Sequence, residues 1–220
     1  MKKIIVILWA IVALLYTYFR FINRLDAVSF IQPMASLFVL IIAVMGLVEK
    51  ESKYKWFIST GLFMALLIDF YAINMSNQIV MIYSMIVFMI VLILYNIAII
   101  IEYKINKNII GIGIILLIIS VGSIGIMERG AGSFIIPLII YSLLWGFTVA
   151  NGIQTNFRKG VNIKKTILLS IGLLLFFFGD LLLGLNTYWT EIGIMWISPL
   201  CYTGGQMLIA LSCSEYREAL

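Results

Sequence analysis

Ten acidic residues occur in this 220-residue chain, and only two of them lie inside long apolar stretches. Asp69 ends GLFMALLID and Asp180 ends GLLLFFFGD. The others, Asp26, Glu49, Glu51, Glu102, Glu128, Glu191, Glu215 and Glu218, fall in loops, at the ends of apolar runs or in the tail. A carboxylate at the centre of a hydrocarbon layer costs about 2.5–3.5 kcal/mol even on lenient scales, so Asp69 and Asp180 call for a reason. Two carboxylates close together in low dielectric cannot both ionise cheaply, so such a pair retains a proton and offers an acid and a base at once. That pairing serves proton-sharing hydrolysis and, at larger separation, ether cleavage, where one group protonates and its partner handles water. Two other readings stand beside catalysis: each Asp pins the fold through hydrogen bonds to a neighbouring helix, or the pair carries a proton or cation in a transporter.

The elements that must position these residues follow from composition. The chain is 63% hydrophobic and 11% charged, with a mean hydropathy of +1.12, which indicates an integral membrane protein. A membrane-spanning helix takes about 20 apolar residues, and eight runs of that order appear. They extend over Ile4 to Phe19, Ser29 to Val48, Trp56 to Ile73, Ile79 to Ile101, Ile109 to Met127, Ser133 to Ala150, Thr166 to Leu185 and Gly193 to Ser212. Short connections imply one domain over residues 1–220, an all-α polytopic bundle of eight transmembrane helices. The first run follows Lys2 and Lys3 but has no small-x-small cleavage site, so it reads as a retained helix.

Basic residues divide unevenly between alternate connections. Lys2, Lys3, Lys50, Lys53, Lys55, Lys104, Lys107, Arg158, Lys159, Lys164, Lys165 and Arg217 fall on one side, against Arg20, Arg24 and Arg129 on the other. Positive residues gather on the cytoplasmic side, so both termini are expected there, in a bacterial-type plasma membrane. The net charge of +5 is then topological and suited to anionic lipid, with no call for nucleic acid. The absence of histidine removes Ser-His-Asp and Cys-His machinery and the usual His-built zinc site, and no metal or cofactor is expected. Cys201 and Cys213 are separated by about 18 Å of helix, too far for a mutual disulfide.

The two halves resemble each other. SFIQP (Ser29 to Pro33) opens the second run and SFIIP (Ser133 to Pro137) the sixth. GLFMALLID (Gly61 to Asp69) and GLLLFFFGD (Gly172 to Asp180) share the step from Gly to Asp, and Asn74 and Asn186 follow. These correspondences suggest two parallel four-helix repeats, about 1–104 and 105–220, set against chance likeness in an apolar alphabet. Both aspartates are then expected at one depth on parallel helices, facing a common interior. Ser198, Tyr202 and Gln206 share a helix face. Tyr141, Trp145 and Thr148 in the sixth run, and Ser84 and Tyr95 in the fourth, offer further polar groups, as substrate contacts or as glue between helices. Gly172, Gly179, Gly184, Gly204 and Gly205 suggest close helix approach.

GLLLFFFGDLLLGLN followed by CYTGGQMLIALS resembles the C-terminal signature of the YhhN family, the integral-membrane lysoplasmalogenases. Asp180, Asn186, Tyr202 and Gln206 match its positions, Asp69 its earlier aspartate, Pro137 and Tyr141 its Pro-x-x-x-Tyr element, and Tyr95 its tyrosine late in the fourth helix. Leu92 stands where the family usually has histidine, and Gln32 where it often has lysine. The resemblance implies hydrolysis of the vinyl ether bond of lysoplasmalogens to a fatty aldehyde and a glycerophospho-base. Asp69 and Asp180 would be the catalytic pair, and Tyr95, Tyr141, Asn186, Tyr202 and Gln206 would contact a lysophospholipid or another single-chain lipid. A proton- or cation-coupled transporter, or a non-catalytic lipid-binding relative, is the alternative.

Overall fold

The computed structural model describes residues 1–71, 78–104, 118–119, 122, 135–188 and 195–214. Among these residues it is all-helical, with α1 (Lys2–Phe21), α2 (Leu25–Glu49), α3 (Lys53–Tyr71), α4 (Gln78–Tyr103), α5 (Ile135–Gln154), α6 (Ile163–Tyr188) and α7 (Ser198–Ser212). Short 3-10 turns at Thr155–Phe157 and Met195–Ile197 extend α5 and lead into α7. The fifth expected run, Ile109 to Met127, lies almost wholly outside the described residues, as does Asn74.

Among the described residues, five helical stretches are long and apolar enough to cross a membrane: Lys2–Phe21, Asp26–Glu49, Ile82–Tyr103, Ile135–Phe157 and Ile163–Asn186. That is the make-up of an integral membrane protein. The expected third and eighth runs differ. α3 carries Lys53, Lys55 and Asp69 in 19 residues, and α7 has only 15 residues, about 22 Å at helical rise. Their surroundings explain their polarity. On α7, Tyr202, Thr203, Gln206 and Ser212 are all buried, because it packs against α6, α2, α1 and α3 instead of lipid. α1 is the converse, with Ile4, Ile7, Ile11, Leu14 and Tyr18 exposed along one flank and only Ala13, Tyr16 and Thr17 buried. An apolar strip of that extent suits acyl chains.

Glycines bring α6 and α7 together. A Cβ on Gly205 would lie 2.5 Å from the Phe176 backbone nitrogen and 2.6 Å from the Gly172 carbonyl oxygen, and one on Gly179 2.8 Å from the Tyr202 nitrogen. Gly204 differs from the expectation: its Cβ direction meets nothing within 4 Å, so it plays no part in this approach.

Side-chain contacts fix the helix directions. Lys2 Nζ pairs with Glu49 Oε2 at 2.6 Å, Lys55 Nζ donates to the Gly46 carbonyl at 2.9 Å, and the Tyr54 and Ser212 hydroxyls share a 2.7 Å hydrogen bond. The Tyr103 ring meets Tyr54, and Arg158 donates to the Lys104 carbonyl. The starts of α1, α3 and α6 and the ends of α2, α4 and α7 therefore lie at one end of the bundle, and α3 and α6 run parallel. Cys201 and Cys213 are both free and buried.

Candidate functional site

Asp69 lies sixteen residues after the first residue of α3, and Asp180 seventeen after the first of α6. Both carboxylates are therefore displaced toward the end of the bundle opposite the start of α1.

Asp69 is 2% exposed, and every donor around it points at its carboxylate. Gln32 Nε2 donates to Oδ1 at 2.6 Å, the Tyr202 hydroxyl donates to Oδ1 at 2.9 Å, and Ser36 donates to Oδ2. Gln32 and Ser36 are one turn apart on α2 and so share a face. Gln32 occupies the position where the resemblance led to an expectation of lysine, and its amide supplies a donor without the charge. Its other amide atom is also engaged, with Oε1 accepting from the Tyr16 hydroxyl at 2.9 Å. Tyr16 on α1, Gln32 on α2 and Asp69 on α3 thus form one hydrogen-bonded line.

Gln206, fully buried one turn beyond Tyr202, approaches the same serine, with Oε1 3.3 Å from Ser36 Oγ. Ser36 has one hydroxyl proton, which serves Asp69 or Gln206 but not both. With Oε1 turned to Ser36, Gln206 Nε2 has no protein partner among the described residues. Turning the amide over brings Nε2 to Ser36 Oγ as a donor and leaves the serine proton on Asp69.

Asp180 has a separate set of donors. The Tyr141 hydroxyl and Trp145 Nε1, the latter at 3.2 Å, both donate to Oδ2. These side chains are one turn apart on α5, following Pro137. No hydrogen bond between the two carboxylates occurs among the described residues. Each is bound to its own helix neighbours. Aromatic rings occupy the space between their donors. The Trp145 and Phe176 centroids lie 4.9 Å apart, those of Phe176 and Tyr202 5.0 Å, all edge to face, and Phe88 closes on both Phe176 and Tyr202. Such rings exclude water and hold Trp145 Nε1 and the Tyr202 hydroxyl in fixed directions.

The remaining candidates are dispersed. Tyr95 is fully buried with its ring against Gly61, about 12 Å of helix away from Asp69, and its hydroxyl has no partner among the described residues. Asn186 lies six residues beyond Asp180 on α6, about 9 Å along the axis. Leu92 is fully buried in the apolar core, and Ser84 is buried on α4. Ser36 was not singled out by the sequence, and Trp145 appeared there only as part of a polar face. Spacing does hint at Ser36, since it follows Gln32 by one turn in a run that is otherwise nearly all apolar.

No curated protein and no solved structure matches the chain. The model of the YhhN family matches residues 28–213, a span that contains both aspartates and every side chain described as donating to them. The chain belongs to the YhhN family.

Proposed function

We propose that this protein is a membrane-embedded hydrolase that cleaves the vinyl ether of a lysoplasmalogen, releasing a fatty aldehyde and a glycerophospho-base. One observation carries the reading: the two carboxylates, Asp69 buried and Asp180 half-buried, are supported differently. Both hydrogen bonds to Asp180 fall on Oδ2, whereas donors meet both oxygens of Asp69. A carboxylic acid with its carbonyl oxygen held by Tyr141 and Trp145 keeps Oδ1 for a proton it can give away. A carboxylate held by three donors is suited to remain an anion.

The chemistry divides accordingly. Asp180 protonates the vinyl ether at its β carbon, and the electron pair on the ether oxygen forms an oxocarbenium ion. Asp69 stabilises that cation and takes a proton from the water that adds to it, giving a hemiacetal. The hemiacetal breaks its bond to the glycerol oxygen, its hydroxyl proton goes to that oxygen, and the aldehyde leaves. A proton passed from Asp69 to Asp180 restores the starting state. A single-chain lipid reaches the carboxylates sideways between helices, its chain remaining among apolar side chains. Both termini face the cytoplasm in this arrangement.

Leu92 favours a second reading, a lipid-binding relative without activity, because this fully apolar position offers no proton where the family resemblance suggests histidine. Purified Asp69→Asn and Asp180→Asn proteins, assayed for aldehyde release from lysoplasmalogen beside the unaltered chain, test both readings. Loss of release in each folded variant supports hydrolysis. Lysolipid that raises the melting temperature of the unaltered protein without any aldehyde formation supports the second.

A further inference from the structure

The inward stripe of α1 ends in a cation. Ala13, Tyr16 and Thr17 are its buried residues, and Arg20 continues it, four residues after Tyr16 and three after Thr17. Arg20 is half-buried, whereas Tyr18 and Phe21 on either side are exposed. It therefore sits on the flank of α1 that faces the bundle, not on the one that faces acyl chains. Tyr16 reaches Asp69 through Gln32 by hydrogen bonds of 2.9 and 2.6 Å, and Arg20 is about 6 Å further along the helix axis. Asp69 itself lies two residues before the end of α3, so Arg20 stands between the carboxylate and the nearer membrane surface.

Topology does not account for this cation. Basic residues gather at the opposite end of the bundle, and the positive-inside rule works against one here. Arg24, the next basic residue, has its charge met by Asp26, with Nε and Nη2 donating to the two carboxylate oxygens at 3.0 and 2.9 Å. Arg20 forms no ion pair among the described residues. A cation in the last turn suits the helix dipole, but a lipid-facing position in that turn would serve equally well. Arg20 also precedes residue 28, where the match to the YhhN family begins.

We propose that Arg20 binds the phosphate of the lysolipid substrate and sets a preference for phosphorylated over unphosphorylated vinyl ethers. This rests on the hydrolysis proposed above. In a lysoplasmalogen only the glycerol unit separates the vinyl ether from the phosphate. A vinyl ether held at Asp69 with its chain directed into the bundle therefore carries its phosphate outward, to the end of α1. There the guanidinium fork can meet two phosphate oxygens at once.

The test compares a lysoplasmalogen with the 1-alkenylglycerol of the same chain, which lacks the phosphate, as substrates of the full chain in non-ionic detergent. In Arg20→Gln the ratio of kcat/KM between them is expected to fall at least fivefold, through KM. Arg24→Gln removes the paired cation from the same end and is expected to keep the ratio within twofold. An unaltered ratio in Arg20→Gln overturns the proposal, even where both rates fall together, since that marks a structural role. An equal fall in Arg24→Gln marks diffuse charge and overturns it too. If the unaltered chain releases no aldehyde, the hydrolysis reading fails and binding decides on Arg20 separately. Lysophosphatidylethanolamine is then expected to raise the melting temperature more than the monoacylglycerol of the same chain, by a margin that Arg20→Gln loses. Absence of that margin, or its survival in Arg20→Gln, overturns the proposal. A loss that extends equally to two-chain phosphatidylethanolamine assigns Arg20 to bilayer lipid and does the same. Should Arg20→Gln fail to fold, Arg20→Lys keeps the charge at the helix end and loses the fork, and full preference for the phosphorylated substrate in it overturns the proposal.

Discussion

The Tyr202 hydroxyl donates to Asp69 Oδ1 over 2.9 Å, joining residues 133 positions apart in the chain. Tyr202→Phe removes that donor but keeps the ring that packs on Phe176 and Phe88. A hydrogen bond to a charged group is worth about 1.5–3 kcal/mol, so kcat/KM for aldehyde release should fall roughly 10- to 100-fold if the charge on Asp69 matters in the transition state. Thermal stability should change little. A large fall in melting temperature with kcat/KM preserved would make this bond a structural pin instead.

The two aspartates should differ in how their amide replacements behave. In Asp180→Asn the amide oxygen can still accept from Tyr141 and Trp145, while the transferable proton is gone, so activity should drop by about 10²–10⁴. Asp69→Asn must place an amide NH₂ among donors. Ser36 relieves that conflict, because its hydroxyl can reverse, accept from the new amide and donate to Gln206 Oε1, which already lies 3.3 Å away. The variant should therefore remain folded while losing activity, as shown by an intact melting transition beside an absent aldehyde signal. Retained activity in either folded variant would remove that residue from the chemistry.

How far these residues were legible in the sequence depends on how unusual each one is in its run. Asp69 and Asp180 stand out because a carboxylate among apolar residues has few explanations. Ser36 does not, since a lone serine in a membrane helix commonly bonds to its own backbone or to the next helix. Gln32 was visible only through the family resemblance, and its bond to Asp69 depends on a crossing of α2 and α3 that no spacing reports. Hydropathy also treats a helix surrounded by helices and one surrounded by lipid alike, so α7 looked like a span of ordinary length. The buried Tyr202, Thr203 and Gln206 reveal its interior position only once its neighbours are known. Tyr95 shows the reverse: it shares polarity with the site, but helix geometry leaves it against Gly61.

Adjacent glycines on α7 provide a test of the α6–α7 contact. A methyl group on Gly205 would press on the backbone of Phe176 and Gly172 at 2.5 and 2.6 Å, and backbone atoms have no rotamer through which to withdraw. Gly205→Ala should destabilise the protein by about 1–3 kcal/mol through overpacking, lowering the melting temperature by several degrees. Gly204→Ala meets nothing within 4 Å and should be neutral or stabilising, because alanine is the better helix former by up to about 1 kcal/mol. Equal effects from the two substitutions, followed by thermal unfolding in one detergent, would mean the helices do not meet on this face.

Tyr16 tests whether Asp69 depends on a residue that does not touch it. A glutamine amide can present either its oxygen or its nitrogen to a neighbour, and Asp69 is served only when the nitrogen of Gln32 faces it. The Tyr16 hydroxyl fixes that choice by donating to Gln32 Oε1 at 2.9 Å. In Tyr16→Phe the amide can turn over, setting Oε1 against the carboxylate for part of the time and weakening support for its charge. Catalysis should therefore fall less than in Tyr202→Phe, by roughly 3- to 10-fold, corresponding to a net hydrogen-bond contribution of about 0.5–1.5 kcal/mol. Gln32→Leu removes the amide in both orientations and should fall further, and adding Tyr16→Phe to it should then have no additional effect on kcat. If the two losses multiply instead, Tyr16 acts through something other than Gln32, and the line from α1 to Asp69 does not carry the effect.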